Sequence, residues 1–187
     1  MIRFLLMAGC TMLVAGCQFL PPPADAPQTV DYVDLERYAG TWYEIARYPN
    51  RFQEGCVATT ATYEARDDGR IDVINRCLNG GFDGPERVAE GVARVVDEDS
   101  NAQLKVSFFW PFSGDYWVIG LDEDYHWAVV GHPRRKYLWI LARTPALDPV
   151  AREDIMRLIE ARGYDTGPLE KTPHPVGDLS PGMVRHE

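Results

Sequence analysis

Hydrophobic and polar residues alternate through the middle of the chain, and turn residues interrupt the alternation at short intervals. The clearest example is Leu104-Lys105-Val106-Ser107-Phe108, in which every second side chain is apolar, as expected of a strand with one buried face. The predicted strands are 57–65, 71–77, 86–96, 104–109, 116–121, 127–131 and 137–143. Many short strands between Gly, Pro and acidic pairs indicate a sandwich or a closed barrel.

One segment near the C-terminus follows a helical period instead. Asp148 can cap a helix whose first position is Pro149, and Gly163 can end it. The residues that share one face of this helix are Ala151, Ile155, Leu158, Ile159 and Arg162. A single amphipathic helix after the strands is expected to pack against the outside of the sheet.

The N-terminal segment has the pattern of an export signal. After Arg3, an apolar stretch at 4–15 is too short to span a bilayer, which needs about 20 residues. It runs into Leu13-Val14-Ala15-Gly16-Cys17, which is similar to the lipobox of bacterial lipoproteins and predicts acylation of Cys17. Gln18, rather than Asp, favours an outer-membrane, periplasm-facing location. An ordinary secretory signal is the alternative.

The next segment is rich in Pro and Ala at 21–27, a composition that favours extended geometry and a semi-rigid spacer. We therefore divide the chain into four parts. These are a lipoprotein signal peptide (1–16), an acylated cysteine with a Pro-rich linker (17–31), a folded domain (32–175) and a flexible C-terminal tail (176–187).

Two cysteines remain once Cys10 is removed with the signal and Cys17 is acylated. Cys56 and Cys77 flank a predicted hairpin whose turn is Asp67-Asp68-Gly69, so strand pairing brings them near its open end. An even pair in an oxidising compartment favours a disulfide. Two buried thiols and a metal site are the alternatives, and we expect neither a metal nor a cofactor because no histidine lies close to either cysteine.

The net charge and the absence of known catalytic motifs from the sequence argue against two classes of function, nucleic-acid binding and catalysis. A net charge of −9 argues against nucleic acid, because a phosphate backbone is held mainly by clustered Lys and Arg. The four histidines are scattered, and neither a nucleophile-elbow motif nor a phosphate-binding loop occurs. We therefore expect that this protein is not an enzyme.

Three short motifs carry a resemblance to a known family. The segment 35–49 contains Gly40-Thr41-Trp42-Tyr43-Glu44-Ile45-Ala46-Arg47 and resembles the first signature of the lipocalins, in its bacterial branch. Gly114-Asp115-Tyr116 resembles the second signature, and the segment 137–145, with Arg143, resembles the third. The resemblance extends over residues 32–171, while the signal, the linker and the final residues depart from it.

This resemblance implies an all-β fold: an eight-stranded antiparallel up-and-down β-barrel with one C-terminal α-helix packed outside. It places Trp42 at the closed end with Arg143 across its ring, so Gly40, Trp42, Asp115 and Arg143 are expected to be structural. Ligand contacts are expected from inward-facing residues nearer the open end, which supply an apolar lining with a few donors. These candidates are Tyr63, Val73, Val106, Phe108, Tyr116, Val118 and Trp139.

The expected function is that of a membrane-anchored lipocalin that binds, stores or transports fatty acids or lysophospholipids in the cell envelope. A homodimer is compatible with the sequence. One alternative is a lipocalin-fold enzyme on a lipidic substrate, with a free Cys56 as nucleophile, and another is an envelope scaffold with a filled barrel. The aromatic run 108–112 fits a pocket rim, a lipid contact, a dimer contact or a packed turn.

Overall fold

A computed structural model of the chain describes residues 21–175. The predicted signal peptide, the acylation at Cys17 and the tail 176–187 lie outside these residues. The elements in chain order are α1 (Leu35–Tyr38), β1 (Gly40–Arg47), a 3₁₀ turn (Arg51–Gln53), β2 (Cys56–Ala65), β3 (Ile71–Asn79), β4 (Glu86–Val95), β5 (Gln103–Phe109), β6 (Phe112–Leu121), β7 (Trp127–Gly131), β8 (Leu138–Ala142), α2 (Pro149–Ala161) and β9 (Glu170–Lys171).

Strands β1 to β8 form a closed antiparallel barrel in which each strand pairs with its neighbours in sequence. The barrel closes through β1, because Tyr43 lies opposite Thr60 of β2 and opposite Ala142 of β8. The prediction of an eight-stranded up-and-down barrel is therefore confirmed. Closure gives every strand of the barrel a partner on each side, so the described strands leave no exposed sheet edge at which another chain could pair and aggregate.

The two ends of the barrel carry different loops, because each strand reverses the direction of the one before it. The α1 end holds α1 and the loops 66–70, 96–102 and 122–126. The opposite end, called the far end here, holds the loops 48–55, 80–85, 110–111 and 132–137.

Side-chain alternation sorts the apolar residues into two layers. On β6, Val118 faces the barrel interior, whereas Ile119 faces outward and packs against α2. The outer layer is completed by Ile155 and Ile159 of α2, which are fully buried. Asp148 caps this helix by accepting hydrogen bonds from the first two free amides. The helix and its position outside the barrel are confirmed.

Near the end of the described residues, the chain forms a short strand within the wall of the barrel. Strand β9 pairs with β1, with Lys171 opposite Ala46. The next residues continue toward β2, since Thr172 N donates to Ile45 O and Ala58 N donates to Pro173 O. The C-terminal segment therefore lies between β1 and β2 at the far end, where those two strands do not pair with each other.

Two boundaries differ from those expected from the sequence. Strand β6 begins at Phe112, because Phe112 pairs with Phe109 across a turn of only two residues. The packed chain also begins before Tyr32: Val30 N donates to Val118 O at 3.0 Å, and Asp25 forms an ion pair with Arg135. Part of the stretch expected to be a spacer thus lies along the barrel wall.

The disulfide expected from the cysteine count joins Cys56 to Cys77 across the β2–β3 hairpin. It lies at the far end, where it ties the first residue of β2 to β3. Among residues 21–175, no helix combines the length and the hydropathy needed to cross a bilayer.

Candidate functional site

Three of the four signature residues, Gly40, Trp42 and Arg143, meet at the α1 end. The guanidinium carbon of Arg143 lies 3.8 Å from the centre of the Trp42 ring, close enough for a cation–π interaction. Gly40 has φ +90°, and a Cβ there would lie 3.4 Å from Arg143 Nη1, so this position favours glycine. The Arg143 guanidinium also donates to four backbone carbonyls, those of Arg37, Tyr38, Ala39 and Thr41.

The remaining signature residue, Asp115, lies on the outer side of the wall. Its neighbour Tyr116 faces inward, so Asp115 faces outward. Its carboxylate accepts a hydrogen bond from Lys105 Nζ at 2.7 Å and lies 3.8 Å from His132 Nε2. Asp115 therefore joins β5, β6 and the loop 132–137.

A cavity of about 150 Å³ lies inside the barrel toward the α1 end. Four of the seven predicted ligand-contact residues line it: Tyr63, Val106, Tyr116 and Val118. The other lining residues are Val33, Leu35, Tyr38, Ala39, Ala65, Arg66, Gly69, Arg70, Ile71, Ala93 and Leu104. The lining is mainly apolar, and it reaches the β2–β3 turn.

The other three predicted contacts, Val73, Phe108 and Trp139, also pack in the inner cluster but do not line the cavity. Phe108 lies over Gly91, where an added Cβ would come within 2.8 Å of its ring. Trp139 and Phe108 fill the interior nearer the far end, so the cavity lies closer to the α1 end than the sequence analysis expected for a ligand.

Three tyrosine hydroxyls form a chain at the cavity. Tyr116 Oη lies 2.7 Å from Tyr38 Oη and 2.8 Å from Tyr63 Oη. Burial raises the pKa of Tyr63 to about 12 and raises the pKa of Tyr38 and of Tyr116 well above the usual value. All three are therefore neutral near pH 7. Three O–H groups share two hydrogen bonds, which leaves one hydrogen for another acceptor.

A buried polar cluster (Glu44, Arg47, Gln53 and Thr172) occupies the far end. Arg47 Nη1 donates to Glu44 Oε1 at 2.9 Å, and Thr172 and Gln53 also donate to this carboxylate. Gln53 Oε1 accepts from Trp139 Nε1 at 2.9 Å, which fixes the loop 48–55 over the interior. Within the described chain, Arg47 Nε and Thr59 Oγ1 are buried without a hydrogen-bond partner.

Sequence reasoning missed three features of this interior. Leu104 shares the alternation of Val106 and Phe108, so the pattern could have revealed it. Nothing local indicates that Tyr38, in a four-residue helix, would turn into the barrel. The register of β1 shifts between Glu44 and Ala46, and such a bulge is set by the pairing with β8 rather than by the residues themselves.

Comparison with known proteins assigns the family. The Lipocalin-like domain family matches residues 33–174, a range that includes every helix and strand of the described fold. The chain therefore belongs to the lipocalin family.

Its relatives include bacterial and plant proteins. The chain is 43% identical over 161 residues to "Outer membrane lipoprotein Blc" of Citrobacter freundii, covering 84% of this chain and 88% of that one. It is 41% identical over 155 residues to "Temperature-induced lipocalin-1" of Arabidopsis thaliana, covering 78% and 82%. Insecticyanin from the tobacco hornworm Manduca sexta has the same fold, with a TM-score of 0.66, 20% identity and coverage of 82% and 86%.

Proposed function

We propose that this protein is a membrane-anchored lipocalin that binds, stores or transports a fatty acid or lysophospholipid in the cell envelope. The observation that carries the proposal is the apolar cavity lined by Tyr38, Tyr63 and Tyr116, whose neutral hydroxyls are linked by hydrogen bonds. Apolar walls with a few fixed donors are the usual chemistry of such a pocket. The unused O–H hydrogen of the tyrosine chain suits a carboxylate or ester oxygen of a lipid.

The size of the cavity sets a condition on this function. An apolar cavity of about 150 Å³ can hold a molecule the size of benzene, whereas pockets for larger ligands measure about 300–1,000 Å³. A full acyl chain therefore requires interior side chains to move. We expect Phe108 and Trp139 to move, because they fill the far half of the interior and are only partly buried.

The modest cavity also favours a second candidate, an envelope scaffold whose barrel is filled by its own side chains. The far end supports this candidate as well, since Gln53 bonds to both Glu44 and Trp139 and so holds the loop 48–55 against the interior there. Catalysis by Cys56 has less support, because its sulfur is bonded to Cys77 and supplies no thiolate.

A titration decides between the two candidates. The soluble chain 18–187, which contains every element of the described fold, is titrated with palmitate and with lysophosphatidylcholine, and intrinsic tryptophan fluorescence reports binding. Val106→Trp fills the cavity, and Val88→Trp places the same side chain on an exposed part of β4. Tyr116→Phe removes one hydroxyl and leaves the ring.

A lipid carrier gives saturable micromolar binding that Val106→Trp abolishes and Val88→Trp leaves unchanged. Tyr116→Phe should weaken that binding about fivefold to tenfold, as expected for one lost hydrogen bond of about 1 kcal/mol. Absence of binding across acyl chain lengths, in a chain whose circular dichroism spectrum is that of a folded β protein, would refute the carrier and favour the scaffold.

The location is part of the proposal. Similarity to proteins named outer membrane lipoproteins and the Cys17 motif support an acyl anchor in the outer membrane, with the barrel facing the periplasm. Mass spectrometry of the membrane-purified protein should find acyl chains on Cys17, and Cys17→Ser should remove them. Sedimentation velocity of the soluble chain tests whether it forms the homodimer that the sequence allows.

A further inference from the structure

The turn between β5 and β6 presents an unusual group of apolar side chains to solvent. Phe109, Trp110 and Phe112 are 79%, 91% and 77% exposed, so the aromatic run is not a packed turn. We call residues 109–112 the aromatic tip. Ser107 Oγ donates to Phe112 O at 2.6 Å, and Phe109 pairs with Phe112, which holds the tip in a hairpin.

The other exposed phenylalanines of the described chain lie at the same end of the barrel. Phe52 belongs to the loop 48–55 and Phe82 to the loop 80–85. Both loops lie at the far end, as does the aromatic tip. Five of the six exposed aromatic side chains of the described chain therefore lie at the far end, Tyr32 being the exception, and such a group marks an interaction surface rather than ordinary surface scatter.

The charged residues of the loops also differ between the two ends of the barrel. The far-end loops 48–55, 80–85, 110–111 and 132–137 contain four basic and two acidic residues, although the whole chain has a net charge of −9. The loops 66–70, 96–102 and 122–126 of the α1 end contain eight acidic and two basic residues. An anionic bilayer surface would attract the far end and repel the α1 end.

The N-terminal segment begins on the side of the barrel that carries the β5–β6 hairpin. Pro21 and Pro22 line a groove on the outside of the wall that extends from Val96 and Gln103 to Lys105, Asp115 and Arg134. Lys105 and Asp115 pair with each other across β5 and β6. Pro21 is four positions after Cys17, and four extended residues span at most about 14 Å. An acyl anchor at Cys17 therefore keeps the side of the barrel formed by β4, β5 and β6, to which the aromatic tip belongs, within reach of the bilayer.

We propose that the aromatic tip inserts into the surface of an anionic lipid bilayer and docks the far end of the barrel on the membrane. Tryptophan and phenylalanine suit the boundary between headgroups and acyl chains. The basic residues around the tip contact anionic headgroups. This inference goes beyond ligand binding, and only its tether step rests on the proposed acylation of Cys17.

Vesicle binding by the soluble chain 18–187, which has no acyl anchor, tests the tip alone. Vesicles contain phosphatidylethanolamine and phosphatidylglycerol, or phosphatidylcholine only, and co-sedimentation gives the partition coefficient. Trp110→Ser should lower partitioning roughly tenfold, as expected for one buried aromatic side chain. The triple change of Phe109, Trp110 and Phe112 to Ser should lower it more than a hundredfold.

A matched triple variant controls for lost surface hydrophobicity. Tyr32→Ser, Val96→Ser and Val150→Ser remove three exposed apolar side chains that lie away from the far end, and this variant should bind vesicles like the parent chain. In the parent, lipids brominated on their acyl chains should quench a fluorescence component that Trp110→Ser removes.

The proposal is supported if the parent binds anionic vesicles more tightly than neutral ones and only the tip variants lose binding. It is overturned if the parent does not bind vesicles, or if the control triple variant loses as much binding as the tip variant. It is also overturned if sedimentation velocity shows that the tip variants only convert a dimer to a monomer. Palmitate titration of the tip variant tests the proposed ligand function separately, because the tip residues do not line the cavity.

Discussion

Replacement of Arg143 by Ala tests the account of how the α1 end is held together. The change removes the guanidinium that lies 3.8 Å from the Trp42 ring. It also removes the donor for four backbone carbonyls around α1 and the start of β1. Trp42 is fully buried, so the ring cannot turn to solvent to compensate.

The expected cost follows from these contacts. A cation–π interaction at a partly buried site contributes about 0.5–2 kcal/mol. Hydrogen bonds from a charged donor contribute about 1.5–3 kcal/mol each, and less where water can replace the donor, as it can at the half-exposed carbonyls. We expect a loss of about 3–5 kcal/mol in the free energy of unfolding, a large part of the roughly 5–15 kcal/mol typical of a domain.

Urea unfolding followed by circular dichroism measures this loss. With a slope of about 2 kcal/mol per molar urea, the midpoint should fall by about 2 M. Arg143→Lys keeps a positive charge without the planar fork, so it should recover less than half of the loss. Arg157→Ala is the control, because Arg157 is an exposed helix residue paired only with Asp154. A loss below 1 kcal/mol, or full recovery by lysine, would refute the reasoning.

Three further predictions follow from buried groups. The unfolded chain releases the Tyr63 proton near pH 10, whereas the folded chain holds it to about pH 12. The free energy of unfolding should therefore fall between pH 10 and 12, by up to about 3 kcal/mol. Urea titrations should show a smaller fall for Tyr63→Phe. Reduction of the Cys56–Cys77 disulfide should lower the free energy of unfolding by roughly 3 kcal/mol. Glu44→Ala should cost about 3–5 kcal/mol, because it leaves Arg47 buried without its ion pair.

Each of these three predictions has a result that would contradict it. Equal pH dependence in the parent and Tyr63→Phe would show that the phenol does not control alkaline stability. An unchanged melting temperature after reduction would show that the disulfide does not constrain the unfolded chain. A stable Glu44→Ala protein would mean that Arg47 reaches solvent when its partner is removed.

The sequence by itself determined the strands, their order and the faces that they bury. Alternation placed Val106 and Phe108 on one side, and the same rule brought all seven ligand candidates to the inner cluster. Asp148, Pro149 and Gly163 predicted the helix. These features are local, since side-chain period and turn chemistry depend on a few neighbouring residues.

The interior of the barrel was decided by the tertiary structure. Whether a barrel is filled or hollow depends on the summed volumes of side chains from all eight strands, and here Phe108 and Trp139 fill the far half. The polar cluster depends on the bulge after Glu44 and on Thr172, which lies 128 residues away in the chain.

The surface was likewise decided by tertiary structure. The run 108–112 could be read from the sequence, but only the fold shows that Phe108 points inward while Trp110 is exposed. The Pro-rich stretch suggested a semi-rigid spacer, yet Asp25 O accepts a hydrogen bond from Arg135 and Val30 N donates to Val118 O of the wall. A side chain or segment is buried or exposed according to which other residues the closed barrel packs against it. These contacts join residues that are distant in the chain, so the local sequence does not determine them.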